Sequence, residues 1–154
     1  MRTAKILCVL LAAALIGCAN ESGALPGHIP ATAGNRSRSS ESIVRRQSAD
    51  GISHWEVSYA LTSPQRVDVR IDCYPRTRMA REAFKKIYEA DKGLTEAGFA
   101  NADEARARAL EPGSAQYGRA VVRNGEVIFD FLPASGRLSK GFVEEFLAKF
   151  FNRF

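Results

Sequence analysis

The stretch GRAVVRNGEVIFDF, Gly118 to Phe131, decides the fold. Asn124-Gly125 is the preferred pair for a two-residue type I′ turn, because both central positions need φ > 0. A turn centred there predicts a β-hairpin. It places Arg123 opposite Glu126, Val122 opposite Val127, Ala120 opposite Phe129, Arg119 opposite Asp130 and Gly118 opposite Phe131. Both charged pairs are of opposite sign, which favours the ladder. The other side matches small residues with large ones, as a face that receives a helix requires. Pattern and turn chemistry agree.

The same period runs upstream. Trp55, Val57, Tyr59 and Leu61 alternate with His54, Glu56, Ser58 and Ala60, the signature of a half-buried strand. Ser63-Pro64 turns the chain, and Arg66 to Cys73 then alternates without a fault, apolar in and charged out. These segments form an antiparallel hairpin. Opposite charges across the ladder favour Glu56 facing Arg70 and His54 facing Asp72. Cys73 continues the inward row of Val67, Val69 and Ile71, so it reads as a buried, inert thiol.

Helical periodicity takes over between and after the hairpins. Thr77 can cap a helix that runs to about Lys92, with Gly93 as its stop. Its apolar stripe is Ala80, Phe84, Ile87 and Tyr88, and Glu82/Lys86 and Lys85/Glu89 are candidate ion pairs one turn apart. Asn101 with Glu104 three residues on suggests a shorter helix to about Leu110, closed by Pro112-Gly113. Ser139 caps a final helix that carries Phe142, Phe146, Phe150 and Phe154 four apart, with Val143, Leu147 and Phe151 beside them. Such a stripe could lie on lipid. Its polar face (Glu144, Glu145, Lys149, Arg153) is charge-balanced instead of basic, which favours packing on the sheet. The expected fold is α+β and two-layered. It has an antiparallel sheet of about four strands in two hairpins and two to three helices on one face, and the two ββα halves suggest a pseudo-duplicated unit.

The chain before this domain has a different character. Arg2 and Lys5 are followed by the uncharged apolar run Ile6–Ile16, too short to cross a bilayer core of about 30 Å as a helix. Leu15-Ile16-Gly17-Cys18 follows, and the sequence then turns polar. This arrangement resembles the lipobox of bacterial lipoproteins, with Leu15, Ile16 and Gly17 as the signal peptidase II recognition residues. The resemblance implies cleavage before Cys18, a diacylglyceryl thioether on its sulfur and a lipid anchor in the membrane. It covers residues 1 to about 20 only. In a Gram-negative host, Ala19 in place of aspartate implies the outer membrane, facing the periplasm. The expected division is a signal peptide at 1–17, the lipidated cysteine and a flexible tether at 18–42, and one globular domain at 43–154. The tether reading rests on Gly, Ser, Pro, Asn and Ala without apolar period, and puts His28 in solvent. About 24 such residues would average roughly 25–30 Å end to end.

Composition narrows the function. Removing Arg2 and Lys5 takes the basic count from 22 to 20 against 17 acidic residues, about +3, too mild for the footprint of a nucleic-acid binder. With Cys8 in the signal and Cys18 lipidated, Cys73 is the last of the three cysteines, and no disulfide within the chain follows. One cysteine and two histidines cannot complete a usual zinc set, so neither a metal nor another cofactor is expected. His54 beside Asp72, with Ser58 on the same face, could begin a triad, but a surface ion pair is the simpler reading. No Gly-rich phosphate loop, HExxH, GxSxG or paired-carboxylate motif occurs, so no catalytic residue is nominated. Arg66, Arg70, Arg76 and Arg78 form a candidate patch for an anion or a partner, such as lipopolysaccharide phosphate or an envelope protein. Asp68 and Asp72 interrupt it. The expectation is a membrane-anchored envelope lipoprotein with a non-catalytic binding or scaffolding domain. The alternative is an apolar-ligand module, with a pocket between the C-terminal helix and the sheet.

Overall fold

The structure is a computed structural model that describes residues 28–38, 44–60, 65–134 and 137–152. Leu15 to Cys18, the Ser63-Pro64 turn, Leu61, Arg153 and Phe154 lie outside the described residues. The protein is α+β: among the described residues, ten strand segments form a large, open, antiparallel sheet that carries two helices. In chain order the segments are β1 (Thr32–Ala33), β2 (Arg36–Arg38), β3 (Val44–Gln47), β4 (Ser53–Ala60), β5 (Arg66–Cys73), helix α1 (Thr77–Ala90), β6 (Thr95–Glu96), β7 (Glu104–Ala109), β8 (Gln116–Asn124), β9 (Val127–Pro133), β10 (Leu138–Ser139) and helix α2 (Lys140–Phe151). The spatial order is β1-β2-β4-β5-β9-β8-β7-β6, with β3 also on β4 and β10 also on β8.

The β4–β5 hairpin has the predicted register. Glu56 lies across from Arg70 and His54 from Asp72, while Trp55, Val57 and Tyr59 face inward with Val67, Val69, Ile71 and Cys73. The β8–β9 hairpin has a different register. Ala120 faces Phe131, Val122 faces Phe129, Arg123 faces Ile128 and Asn124 faces Val127, so the central turn residues are Gly125 and Glu126. Gly125 has φ +57°, and Glu126 is not among the described positive-φ residues. A glycine first in the loop followed by an ordinary residue is the type II′ pattern, not the I′ pattern expected of Asn-Gly. Moving the turn by one residue moves the register by two, and a two-residue shift leaves every side chain on its own face. The inward row therefore survives, whereas the Arg123–Glu126 opposition does not.

The segment read as a short helix over Asn101–Leu110 is strand β7. Alanine and arginine favour helices intrinsically, but Glu-Ala-Arg-Ala-Arg-Ala also has period two, and β8 offers it an edge. Ala105 and Ala107 are buried in the core. Asn101 does not cap a helix; it holds φ +63°, a turn conformation that asparagine tolerates.

The helices lie on opposite faces of the sheet, not on one. Phe142, Val143, Phe146, Leu147 and Phe150 of α2 join the large core formed by Val57, Tyr59, Phe129 and Phe131, while Ala80 and Phe84 of α1 pack with Val121 and Ile128. The cause is the doubly apolar centre of β8–β9: Val121-Val122 and Val127-Ile128-Phe129 present apolar side chains to both faces, and each face needs cover. A twofold axis that relates the antiparallel neighbours β5 and β9 stands perpendicular to the sheet and would keep both helices on one face. The pseudo-duplication is therefore not realised.

Helix α2 starts as predicted, with the Ser139 Oγ accepting from the Phe142 N–H at 3.2 Å. The α1 cap position falls on Arg76 without a side-chain bond, and Glu82 pairs back to Arg78 instead of forward to Lys86. A Cβ at Gly93 would sit 2.8 Å from the Arg108 Nε, so a larger residue there would push that side chain aside.

The largest departure is at the N-terminal margin. Residues 28–38, assigned by composition to the tether, are part of the folded domain, and 32–33 and 36–38 are strands of its sheet. Ser37 and Arg38 pair with Ala60 and Tyr59, and β1 folds back on β2. Ile29 and Ala33 are buried, the Tyr59 hydroxyl donates to the Pro30 carbonyl at 2.6 Å, and the His28 ring lies against Phe150. Elements of two and three residues are too short for a period to be visible.

Candidate functional site

Helix α1 covers β8 and β9 but leaves the β4–β5 end of its face open. There the outward residues of β4 and β5 form a polar ladder. The His54 Nδ1 is 2.7 Å from the Asp72 Oδ1, and the Arg70 Nε is 3.3 Å from the Glu56 Oε1. The Ser58 hydroxyl donates to the Asp68 Oδ1 at 2.5 Å, and Asp68 also receives Arg66 through Nε at 3.0 Å and Nη2 at 3.1 Å. Glu56, Ser58, Arg66, Asp68, Arg70 and Leu132 line a hollow of about 320 Å³. The strand alternation that points Val67 and Val69 inward necessarily points Arg66, Asp68 and Arg70 into this hollow.

The four nominated arginines are not one patch. Arg66 and Arg70 share the hollow, whereas Arg76 and Arg78 lie beyond the other end of β5 at the start of α1. At about 3.3 Å per residue, the seven steps along β5 alone separate its ends by roughly 23 Å. Three of the four are paired, Arg66 with Asp68, Arg70 with Glu56 and Arg78 with Glu82. The Arg66 and Arg70 side chains remain 57% exposed, so these pairs are screened and contribute only about 0.2–1 kcal/mol each. Either guanidinium can exchange its carboxylate for an arriving anion at small cost. The hollow balances two cations against two carboxylates, so a polar ligand or peptide carrying both signs suits it better than a polyanion. Ser58 is held by Asp68, four residues along β4 from His54, and the three side chains do not form a relay.

A second charged cluster, of which the sequence indicated only the Arg119–Asp130 pair, closes the other end of this face. Asp91, just past α1, accepts from the Arg108 Nη2 on both oxygens at 2.6 Å and from the Arg119 Nη1 at 3.0 Å. Arg119 also grips Asp130 through Nε at 3.0 Å and Nη2 at 2.7 Å. Arg108 chiefly, with Arg119 behind it, holds the Asp91 carboxyl below the usual carboxylate range. Asp130 first, then Asp91, pushes the Arg119 guanidinium further toward its charged form. Arg123, only 2% exposed, donates to Glu104 at 2.6 Å, Asp103 at 3.2 Å and the Gly125 carbonyl at 2.9 Å. The expected Arg119–Asp130 pair thus forms, but diagonally. These groups join β7, β8, β9 and the end of α1, a structural task.

Between α2 and the sheet, where an apolar pocket was the alternative, aromatic rings interlock. Phe146 stands edge-on to Tyr59, Phe129 and Phe131 at 5.7, 5.8 and 5.3 Å between centroids, and Phe150 stands edge-on to Phe129 at 4.9 Å. Among the described residues no group of three or more His, Cys, Asp and Glu could hold a metal ion, and no helix is long and apolar enough to cross a membrane. No protein-family model matches the chain, and no curated protein or solved structure matches it either.

Proposed function

We propose that this chain is a lipid-anchored protein of the bacterial cell envelope, attached through Cys18, and that its α+β domain works by binding an envelope partner and not by catalysis. One observation carries the anchor: the basic start, the apolar run Ile6–Ile16, Leu15-Ile16-Gly17-Cys18 and the polar sequel occur in that order and spacing. In a Gram-negative envelope, Ala19 after the cysteine favours the outer membrane, with the domain in the periplasm. The interlocked rings under α2 support recognition on the outer surface over an internal apolar site. The hollow that presents Arg66 and Arg70 between Glu56 and Asp68 offers such a surface among the described residues.

Cells expressing the chain and fed labelled palmitate test the anchor. The wild type should incorporate label and mature to the shorter form, while Cys18→Ser should remain an unlabelled, uncleaved precursor. Equal labelling of both would overturn the reading. Crosslinking in intact cells tests the hollow: a partner captured by the wild type should be lost in the Arg66→Ala/Arg70→Ala double variant. Its retention would move the binding surface elsewhere.

A further inference from the structure

We propose that Arg70 and Glu56 form a receptor for the zwitterionic head of an α-amino acid, a carboxylate and an ammonium carried on the same carbon. This rests on the reading of the hollow as a binding surface. The two arginines of the hollow are held differently. Arg66 is committed to the wall: it meets Asp68 through Nε at 3.0 Å and Nη2 at 3.1 Å, and the Ser58 hydroxyl donates to the same carboxylate. Arg70 is not committed. Its nearest approach to Glu56 is 3.3 Å, and among the described residues its guanidinium donates no hydrogen bond. A cationic fork and a carboxylate therefore stand side by side, both more than half exposed, with their hydrogen-bonding capacity toward protein unused.

Charge balance selects the ligand. Arg70 offsets Glu56 and Arg66 offsets Asp68, so the hollow is neutral as it stands. A lone anion on Arg70 leaves Glu56 without its cation, and a lone cation on Glu56 leaves Arg70 without its anion. An amino-acid head satisfies both. Its carboxylate takes the Arg70 fork through two parallel hydrogen bonds, and its ammonium takes Glu56. Size agrees: about 320 Å³ is near the lower end of the roughly 300–1,000 Å³ of ligand pockets, room for a small molecule or one side chain. Leu132, across from Asp68 on β9, gives the hollow an apolar flank for the ligand's hydrocarbon chain. The Ser58–Asp68–Arg66 group is fixed before a ligand arrives, so that wall needs no ordering on binding. In a bacterial envelope such heads occur on free amino acids and on the uncrosslinked diamino acids of the cell wall.

The test titrates the full chain, in detergent micelles, with meso-diaminopimelate, which carries an amino-acid head at each end of a short hydrocarbon chain. Pimelate lacks the ammoniums and cadaverine lacks the carboxylates, so calorimetry should show each binding at least about tenfold more weakly. Arg70→Gln and Glu56→Gln should each weaken diaminopimelate at least about tenfold. Both side chains are more than half exposed, so their replacement spares the fold. Lys86→Gln, which also removes one exposed cation but lies on α1, should change nothing. Pimelate or cadaverine binding as tightly as diaminopimelate, or affinity that survives Arg70→Gln, would overturn the amino-acid receptor. Co-sedimentation with isolated cell-wall sacculi, reversed by free diaminopimelate, would identify the wall polymer as the source of the head. Binding of the free compound without co-sedimentation would identify a soluble amino acid. If no probe binds while the crosslinked partner is still lost in the Arg66→Ala/Arg70→Ala variant, the amino-acid receptor falls and the binding surface stands. A partner retained in that variant removes the surface itself.

Discussion

Arg119 and Arg123 are both charged, both on β8 and both largely withdrawn from water, yet their loss should have different consequences. Removing Arg119 leaves Asp130, its side chain only 12% exposed, without its cation, while Asp91 keeps Arg108. Arg119→Ala should therefore cost about 3 kcal/mol. The carboxylates left by Arg123→Ala, on Asp103 and Glu104, are about half exposed and can rehydrate, so the cost should be about 1–2 kcal/mol. Denaturant unfolding of the two variants checks the order, and equal costs would contradict it. Tyr74 gives a prediction in pH. Burial first, and then the charges of Asp72 and Asp50, push its phenol up to about 12. Because the folded value lies above the ordinary value of about 10, this contribution to stability is complete below pH 10. It is lost as pH rises toward 12. A tyrosinate absorbance titration should show a step near pH 12 that Tyr74→Phe removes.

At the scale of elements, the β8–β9 turn and helix α2 show how a short motif and a long one differ in authority. Asn124-Gly125 calls for a tight turn, and one forms, but only Gly125 sits at a left-handed position. Asn124 is a strand residue whose Nδ2 donates to the Asn101 carbonyl at 2.8 Å. Gly125→Ala should cost about 1–2 kcal/mol through left-handed strain, and Asn124→Gly should not relieve any. Helix α2 has many residues voting for one orientation. Phe146 is wholly buried among rings from β4 and β9, so Phe146→Ala should cost about 3–5 kcal/mol, a transfer loss plus a cavity. Thermal melts of soluble chains read both. A Phe146→Ala chain that melts like the wild type would mean that α2 is not core.

For the whole molecule, the test is where the domain begins. Composition places the boundary at 43, whereas the packed domain takes in residues from His28 and the sheet begins at Thr32. A lipid-free chain starting at residue 43 loses Ile29, whose full burial is worth about 2–3 kcal/mol, and leaves the Tyr59 hydroxyl without the Pro30 carbonyl, about 1–3 kcal/mol more. It should unfold at much lower denaturant than a chain starting at residue 28. Equal midpoints would return residues 28–38 to the tether and lengthen the reach of the anchor.

How much of this was legible follows from how far each signal reaches along the chain. The β4–β5 register could be read because alternation over eight residues and two opposite-charge pairs, Glu56 with Arg70 and His54 with Asp72, point to one alignment. The burial and cap of α2 could be read because its phenylalanines repeat with the helical period. The apolar pairs Val121-Val122 and Ile128-Phe129 also carried the signal for two covered faces, although one face was expected. Three features were decided only by tertiary structure. Glu104–Ala109 became a strand because the open edge of β8 outweighed the helix preference of alanine and arginine. Arg119 meets Asp91 only because α1 ends above β8. Residues 28–38 joined the domain through Ile29, Ala33 and a few backbone bonds, each local and none periodic. Periodicity is a property of the chain and can be read there; the partner that satisfies an edge, a charge or a short strand is supplied by residues far away in sequence, and exists only once the fold has brought them together.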